Sequence, residues 1–77
     1  MPPLPVLSGK EVVRRFGLAG WQLARQKGSH MILVREGHMA TLSVPNHREV
    51  APGTLRSLIR ASGLTVGAFL ALGSSKG

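Results

Sequence analysis

The chain has no cysteine. That excludes disulfides and thiolate metal sites, and it suits a cytoplasmic protein. Acidic residues are scarce: Glu11, Glu36 and Glu49 face ten lysines and arginines, and the formal charge is +7. Aromatics are 4% of the chain (Phe16, Trp21 and Phe69), too few for a base-stacking platform of the RRM or OB type. The longest apolar run is Val66–Leu72, far short of the ~20 residues of a membrane helix. The start, Met1-Pro2-Pro3-Leu4-Pro5, lacks the basic region and long apolar core of a signal peptide. No membrane partner is expected, and the expected location is the cytoplasm.

What is present is one domain's worth of chain: 77 residues, 43% of them hydrophobic. That is enough apolar material for a core, although a chain this short is only marginally stable alone. The positive charge calls for a polyanion. Nucleic acid comes first, ahead of an acidic partner protein or charge kept for solubility.

Residues 1–7 read as an extended, proline-rich arm, since three prolines in five residues exclude a helix. Ser8-Gly9-Lys10-Glu11 is a capping box that predicts a helix over Gly9–Leu18. Its apolar stripe is Val12, Val13 and Phe16, with Lys10, Arg14 and Arg15 outward and Gly20 as the residue past its end. Trp21–Arg25 alternates as a half-buried strand, with Trp21 and Leu23 inward. Lys27-Gly28-Ser29 supplies a turn, and His30–Glu36 is the second strand. Both faces of that strand, His30/Ile32/Val34 and Met31/Leu33/Arg35, are mostly apolar, so alternation does not say which is buried. After a turn at Gly37-His38, Met39–Val44 is a third strand with Ala40, Leu42 and Val44 on the core side, and Thr41 and Ser43 opposite. Pro52 opens a second helix whose Leu55, Leu58 and Ile59 face the sheet; Gly63 ends it. Thr65 caps a short apolar helix over Val66–Leu72, and residues 73–77 read as frayed. Consecutive strands joined by tight turns are antiparallel, which leaves one face for the helices. The predicted fold is an α+β two-layer sandwich with a three-stranded antiparallel sheet and a short extra C-terminal helix. Residues 8–64 form its domain, with the arm before it and an appendage at 65–77.

The chemistry concentrates at Gln26-Lys27-Gly28-Ser29-His30. Histidine is the side chain whose ordinary titration lies nearest neutrality, so it can both take and give a proton there. Arg25 and Lys27 stand beside it in sequence and suit a phosphodiester; Gly28 and Ser29 shape the approach of its backbone. His30 is the candidate general base or acid. His47, in the loop after the third strand, reads as a solvated histidine, a phosphate contact or a second proton-transfer group. Arg56 and Arg60, one turn apart on the second helix, are a candidate RNA-facing stripe or a solvated face. His38 reads as a bystander in a turn. No metal is expected, since no histidine pair has helical i, i+4 spacing and no carboxylate lies near.

Five segments, in order, carry a resemblance: Ser8-Gly9-Lys10-Glu11-Val12, Ala19-Gly20-Trp21, Arg25-Gln26-Lys27-Gly28-Ser29-His30, Val44-Pro45-Asn46-His47 and Pro52-Gly53-Thr54-Leu55-Arg56-Ser57-Leu58. Together the pattern resembles the HicA-type toxins of bacterial type II toxin–antitoxin pairs, also called the YcfA-like family. The resemblance implies a double-stranded-RNA-binding-like α-β-β-β-α fold. It also implies an mRNA interferase that cleaves RNA without metal or other cofactor, neutralised by a HicB-type antitoxin. The family's catalytic histidine is the one in Gly-Ser-His, here His30. The alternatives kept beside it are a non-catalytic RNA-binding module of the same fold and a protein-interaction domain with a basic surface.

Overall fold

The computed structural model describes residues 4–73. Of the arm expected over 1–7, residues 1–3 lie outside that range, and so do residues 74–77 of the frayed end. The elements are α1 (Gly9–Leu18), β1 (Gln22–Lys27), β2 (His30–Val34), β3 (Leu42–Pro45), α2 (Pro52–Ser62) and α3 (Val66–Gly73). The strands form one antiparallel sheet in the order β1-β2-β3. Met31 and Leu33 of β2 and Leu42 and Val44 of β3 are buried. They face Val12 and Phe16 of α1 and Leu55, Leu58 and Ile59 of α2 in one core. Among the described residues, no helix lies on the opposite face of the sheet. The architecture is α+β, as the sequence predicts.

The caps of α1 fix where the sheet begins. The Ser8 hydroxyl accepts from the Glu11 amide at 3.1 Å. The expected return bond is replaced: the Glu11 carboxylate accepts from Arg14 Nε at 2.9 Å, Arg14 Nη2 at 2.7 Å and Arg15 Nε at 2.9 Å. At the other end Gly20 has φ of 97°. The Trp21 amide donates to the Phe16 carbonyl and the Gly20 amide to the Gly17 carbonyl, both at 3.1 Å. This is a Schellman close. It turns the buried Trp21 back against Phe16, edge to face with ring centroids 6.4 Å apart.

Hydrogen bonds from Arg14 and then Arg15 hold the Glu11 carboxyl down at about 2, from an ordinary 4.5. A depressed folded-state pKa stabilises above the unfolded value and fades as pH falls toward the folded one. The pair lies near the surface, so about 0.2–1 kcal/mol is expected, less in salt. Urea melts of the wild type and Glu11→Gln should therefore converge as pH falls from 4.5 toward 2; a constant gap would contradict this.

Gly9 is buried, and its amide donates to the His47 carbonyl at 2.9 Å. A Cβ there would collide with the Pro45 carbonyl oxygen. The first turn of α1 thus rests directly on the end of β3. Gly9→Ala should destabilise by roughly 1–3 kcal/mol through overpacking, outweighing any gain in helix propensity. A denaturant midpoint equal to wild type would contradict this contact.

Five expectations are corrected. Leu23 lies across from buried Leu33 but is 53% exposed, and every residue of β1 is exposed with it. Strand β2 ends at Val34 rather than Glu36. Strand β3 starts at Leu42, so Met39 and Ala40 belong to an exposed connection. The turn falls at Glu36-Gly37, and His38 leaves it to pack on Trp21 at 4.9 Å between ring centroids. Arg15, expected outward, is partly buried, with its guanidinium 5.6 Å from the centroid of the Phe69 ring. Phe69 of α3 is fully buried and lies 5.0 Å from Phe16, ring to ring. The Thr65 hydroxyl accepts from the Ala68 amide at 3.0 Å, capping α3 as expected.

Candidate active site on the open face of the sheet

Strands β1 and β2 are joined by the two residues Gly28 and Ser29, so Lys27 and His30 form the closing pair of the hairpin. Gly28 has φ of 60° and stands first in the turn, the position that two-residue hairpins of type II′ give to glycine. A Cβ there would meet nothing, so backbone conformation alone selects glycine. The Asn46 amide donates to the Ser29 carbonyl at 2.7 Å, tying this turn to the end of β3.

Along β2, Met31 and Leu33 point into the core, so His30 and Ile32 share the open face. On β1 the matter is decided by a bulge. The register runs Leu23 opposite Leu33, then Arg25 opposite Ile32, with the shift between Leu23 and Arg25. Without the extra residue, Ala24 would face Ile32, and Arg25 and Lys27 would share Leu23's side of the sheet. The bulge turns both cations onto the histidine's face, as bulges beside functional sites commonly re-aim side chains.

Arg25, Lys27, His30, Ile32, Thr41 and Ser43 line an open depression of about 460 Å³ on this face. His30, Arg25, Lys27 and Ser43 are exposed and Ile32 is half-buried. Among the described residues, no carboxylate lines the depression. A cationic surface without an opposing acid, around an accessible imidazole, can hold an anionic diester and exchange protons with it. Among the described residues, no group of three or more histidines and acids could hold a metal ion.

The structure therefore gathers three of the expected site residues, Arg25, Lys27 and His30, with Gly28 and Ser29 in the adjoining turn. His47 is exposed in the next loop, one residue past the Asn46 contact to that turn, and does not line the depression. Arg56 and Arg60 lie elsewhere. With Ile59, Leu64 and Val66 they border a smaller hollow of about 200 Å³ between α2 and α3, in the helical layer. Sequence reasoning left Ile32, Thr41 and Ser43 out of the site. Their signal was available: Ile32 has His30's parity, Ser43 is the polar alternate of β3, and Thr41 precedes that strand with the same parity.

Fold and site define a small basic α+β domain with one histidine on an uncovered sheet. Residues 9–64 match the family model described as HicA toxin of bacterial toxin-antitoxin, and the chain belongs to this family. It is also similar to a solved chain from a toxin–antitoxin complex of Streptococcus pneumoniae. The two are 29% identical with a TM-score of 0.68, over 75% of this chain and 98% of that one. No curated protein matches significantly.

Proposed function

We propose that this toxin is an mRNA interferase, a cytoplasmic endoribonuclease that uses His30 and needs no metal, and that a HicB-type antitoxin neutralises it. The observation that carries the reading is the exposed His30 ring set beside Lys27 and Arg25 in the open depression. RNA supplies its own nucleophile. The ribose 2′-oxygen attacks the adjacent phosphorus while a base removes its proton. The bond from phosphorus to the 5′-oxygen breaks, and an acid protonates that oxygen. The products are a 2′,3′-cyclic phosphate and a free 5′-hydroxyl. His30 serves as the base or the acid, and the cationic surface beside it, Lys27 foremost, holds the non-bridging oxygens as negative charge builds on them. Gly28 leaves room for the RNA backbone at the turn, and His47, exposed in the neighbouring loop, meets the same strand beyond the depression. Arg56 and Arg60 would touch RNA only if it also reached the helical layer.

The antitoxin partner is inferred from family membership and from the S. pneumoniae neighbour, which was solved as a toxin–antitoxin complex. The test is induction of the chain in growing cells with total mRNA followed over time. Loss of full-length transcripts together with growth arrest is expected. Intact mRNA in cells that accumulate the folded chain would overturn the reading, and RNA bound but uncut in vitro would make the chain a binding module.

A further inference from the structure

The open face is divided into rows by the strand register. One row is Lys27–His30. The next, two residues along β2, is Arg25–Ile32–Ser43, since Ile32 is the partner of Arg25 on one side and of Ser43 on the other. Directly opposed residues have Cβ atoms about 4.5–5.5 Å apart, and diagonal ones about 7–8 Å. Lys27 is thus His30's immediate neighbour, and Arg25 and Ser43 are its diagonal ones. Successive rows are about 6–7 Å apart along the strand, close to one nucleotide step of an extended chain.

We propose that the Arg25–Ile32–Ser43 row is a nucleotide subsite next to the cleavage point, built for unpaired RNA. This rests on the reading of His30 as the cleaving group and divides the cations between two phosphates. Lys27 holds the phosphate that reacts. Arg25 holds the phosphate one nucleotide away. Ile32, apolar and half-buried between Arg25 and Ser43, supports the nucleotide that joins the two phosphates, and the exposed Ser43 hydroxyl hydrogen-bonds its sugar or base edge. A nucleotide lying on Ile32 must offer a free face, which bases stacked inside a duplex do not. Arg25, Ile32 and Ser43 all belong to strands of the sheet, so the row is held in place by strand pairing and not by a loop. The bulge at Ala24 makes the row possible, because it brings Arg25 across from Ile32.

The experiment uses the purified full chain and three substrates: an unstructured oligoribonucleotide, the same strand annealed to its complement, and a dinucleoside monophosphate with a single phosphate. Arg25→Gln should raise KM on the oligonucleotide roughly 10-fold or more, as expected for a lost charge-assisted hydrogen bond, with kcat nearly kept. On the dinucleoside, which has no second phosphate for Arg25 to hold, the rise in KM should be several-fold smaller. Ser43→Ala should raise KM on the oligonucleotide roughly 2- to 10-fold. Lys27→Gln should slow both single-stranded substrates. The duplex should be cut far more slowly than the single strand. Equal effects of Arg25→Gln on the long and the minimal substrate, indifference to Ser43→Ala, or rapid duplex cleavage would overturn the subsite. If the wild type cuts nothing, fluorescence anisotropy with the single-stranded oligonucleotide decides. Binding that weakens in Arg25→Gln and Ser43→Ala keeps the subsite and removes only the cleavage reading; binding that ignores both removes the subsite.

Discussion

A His30→Ala chain is expected to fold normally and to cleave RNA about 10²–10⁴-fold more slowly than wild type, the usual worth of one positioned proton-transfer group. The fold should survive because His30 is exposed at the hairpin's closing position and contributes nothing to the core. Its partner Lys27 is joined to it through the backbone ladder, which alanine preserves. The loss should therefore appear in kcat, with circular dichroism melts and RNA affinity close to wild type, and induction of the variant should no longer arrest growth. Cleavage at the wild-type rate would take the proton chemistry away from His30. A variant that loses RNA binding to the same extent as cleavage would make the ring a contact and not a catalyst.

The largest effect on stability is expected at Phe69. Its ring is fully buried, lies against Phe16 and carries the Arg15 guanidinium above it. Phe69→Ala removes that ring from a closed site, which costs about 3–5 kcal/mol. A domain this small has only about 5–15 kcal/mol in total, so the melting temperature should fall by more than about 10 °C. Phe69 lies beyond residue 64, where the family match ends, so the helix that follows the shared region holds up α1 from outside. Arg15 adds to this, since its side chain links Glu11 on α1 to Phe69 on α3. A drop below about 1 kcal/mol, with cooperative unfolding retained, would show that α1 is held without α3.

How far these features could be read from the chain differs by the range of the interaction behind them. The Ser8 cap, the glycine close at Gly20 and the Leu55, Leu58 and Ile59 stripe depend on neighbours within about a turn, and the residues themselves announce them. The buried face of β2 was not legible, because His30/Ile32/Val34 is nearly as apolar as Met31/Leu33. Only the helices packed on one side decide it. The bulge at Ala24 was hidden because a small residue such as alanine fits either face of a strand; only pairing with β2 shows the extra residue. Following alternation, Arg25 would fall on Leu23's side of the sheet. The histidine and cations of the candidate site could thus be named from type and neighbourhood, while their common face is a property of register. Ser43 and Thr41 were read as outward polar residues, but their place beside His30 depends on a strand that begins at Leu42. Arg15 and His38 were misplaced for a related reason: both fold onto aromatic rings, Phe69 and Trp21, that are distant in sequence.

The most direct measurement concerns the ends that cleavage leaves. The purified chain is incubated in excess chelator with an oligoribonucleotide carrying a mapped cut site, and with the same strand bearing one 2′-deoxyribose at that site; products are weighed by mass spectrometry. The expected result is a 2′,3′-cyclic phosphate on one fragment and a 5′-hydroxyl on the other, with no cut at the deoxy position. Fragments ending in 3′-hydroxyl and 5′-phosphate, or cleavage that ignores the missing 2′-hydroxyl, would contradict a histidine-assisted attack by the ribose.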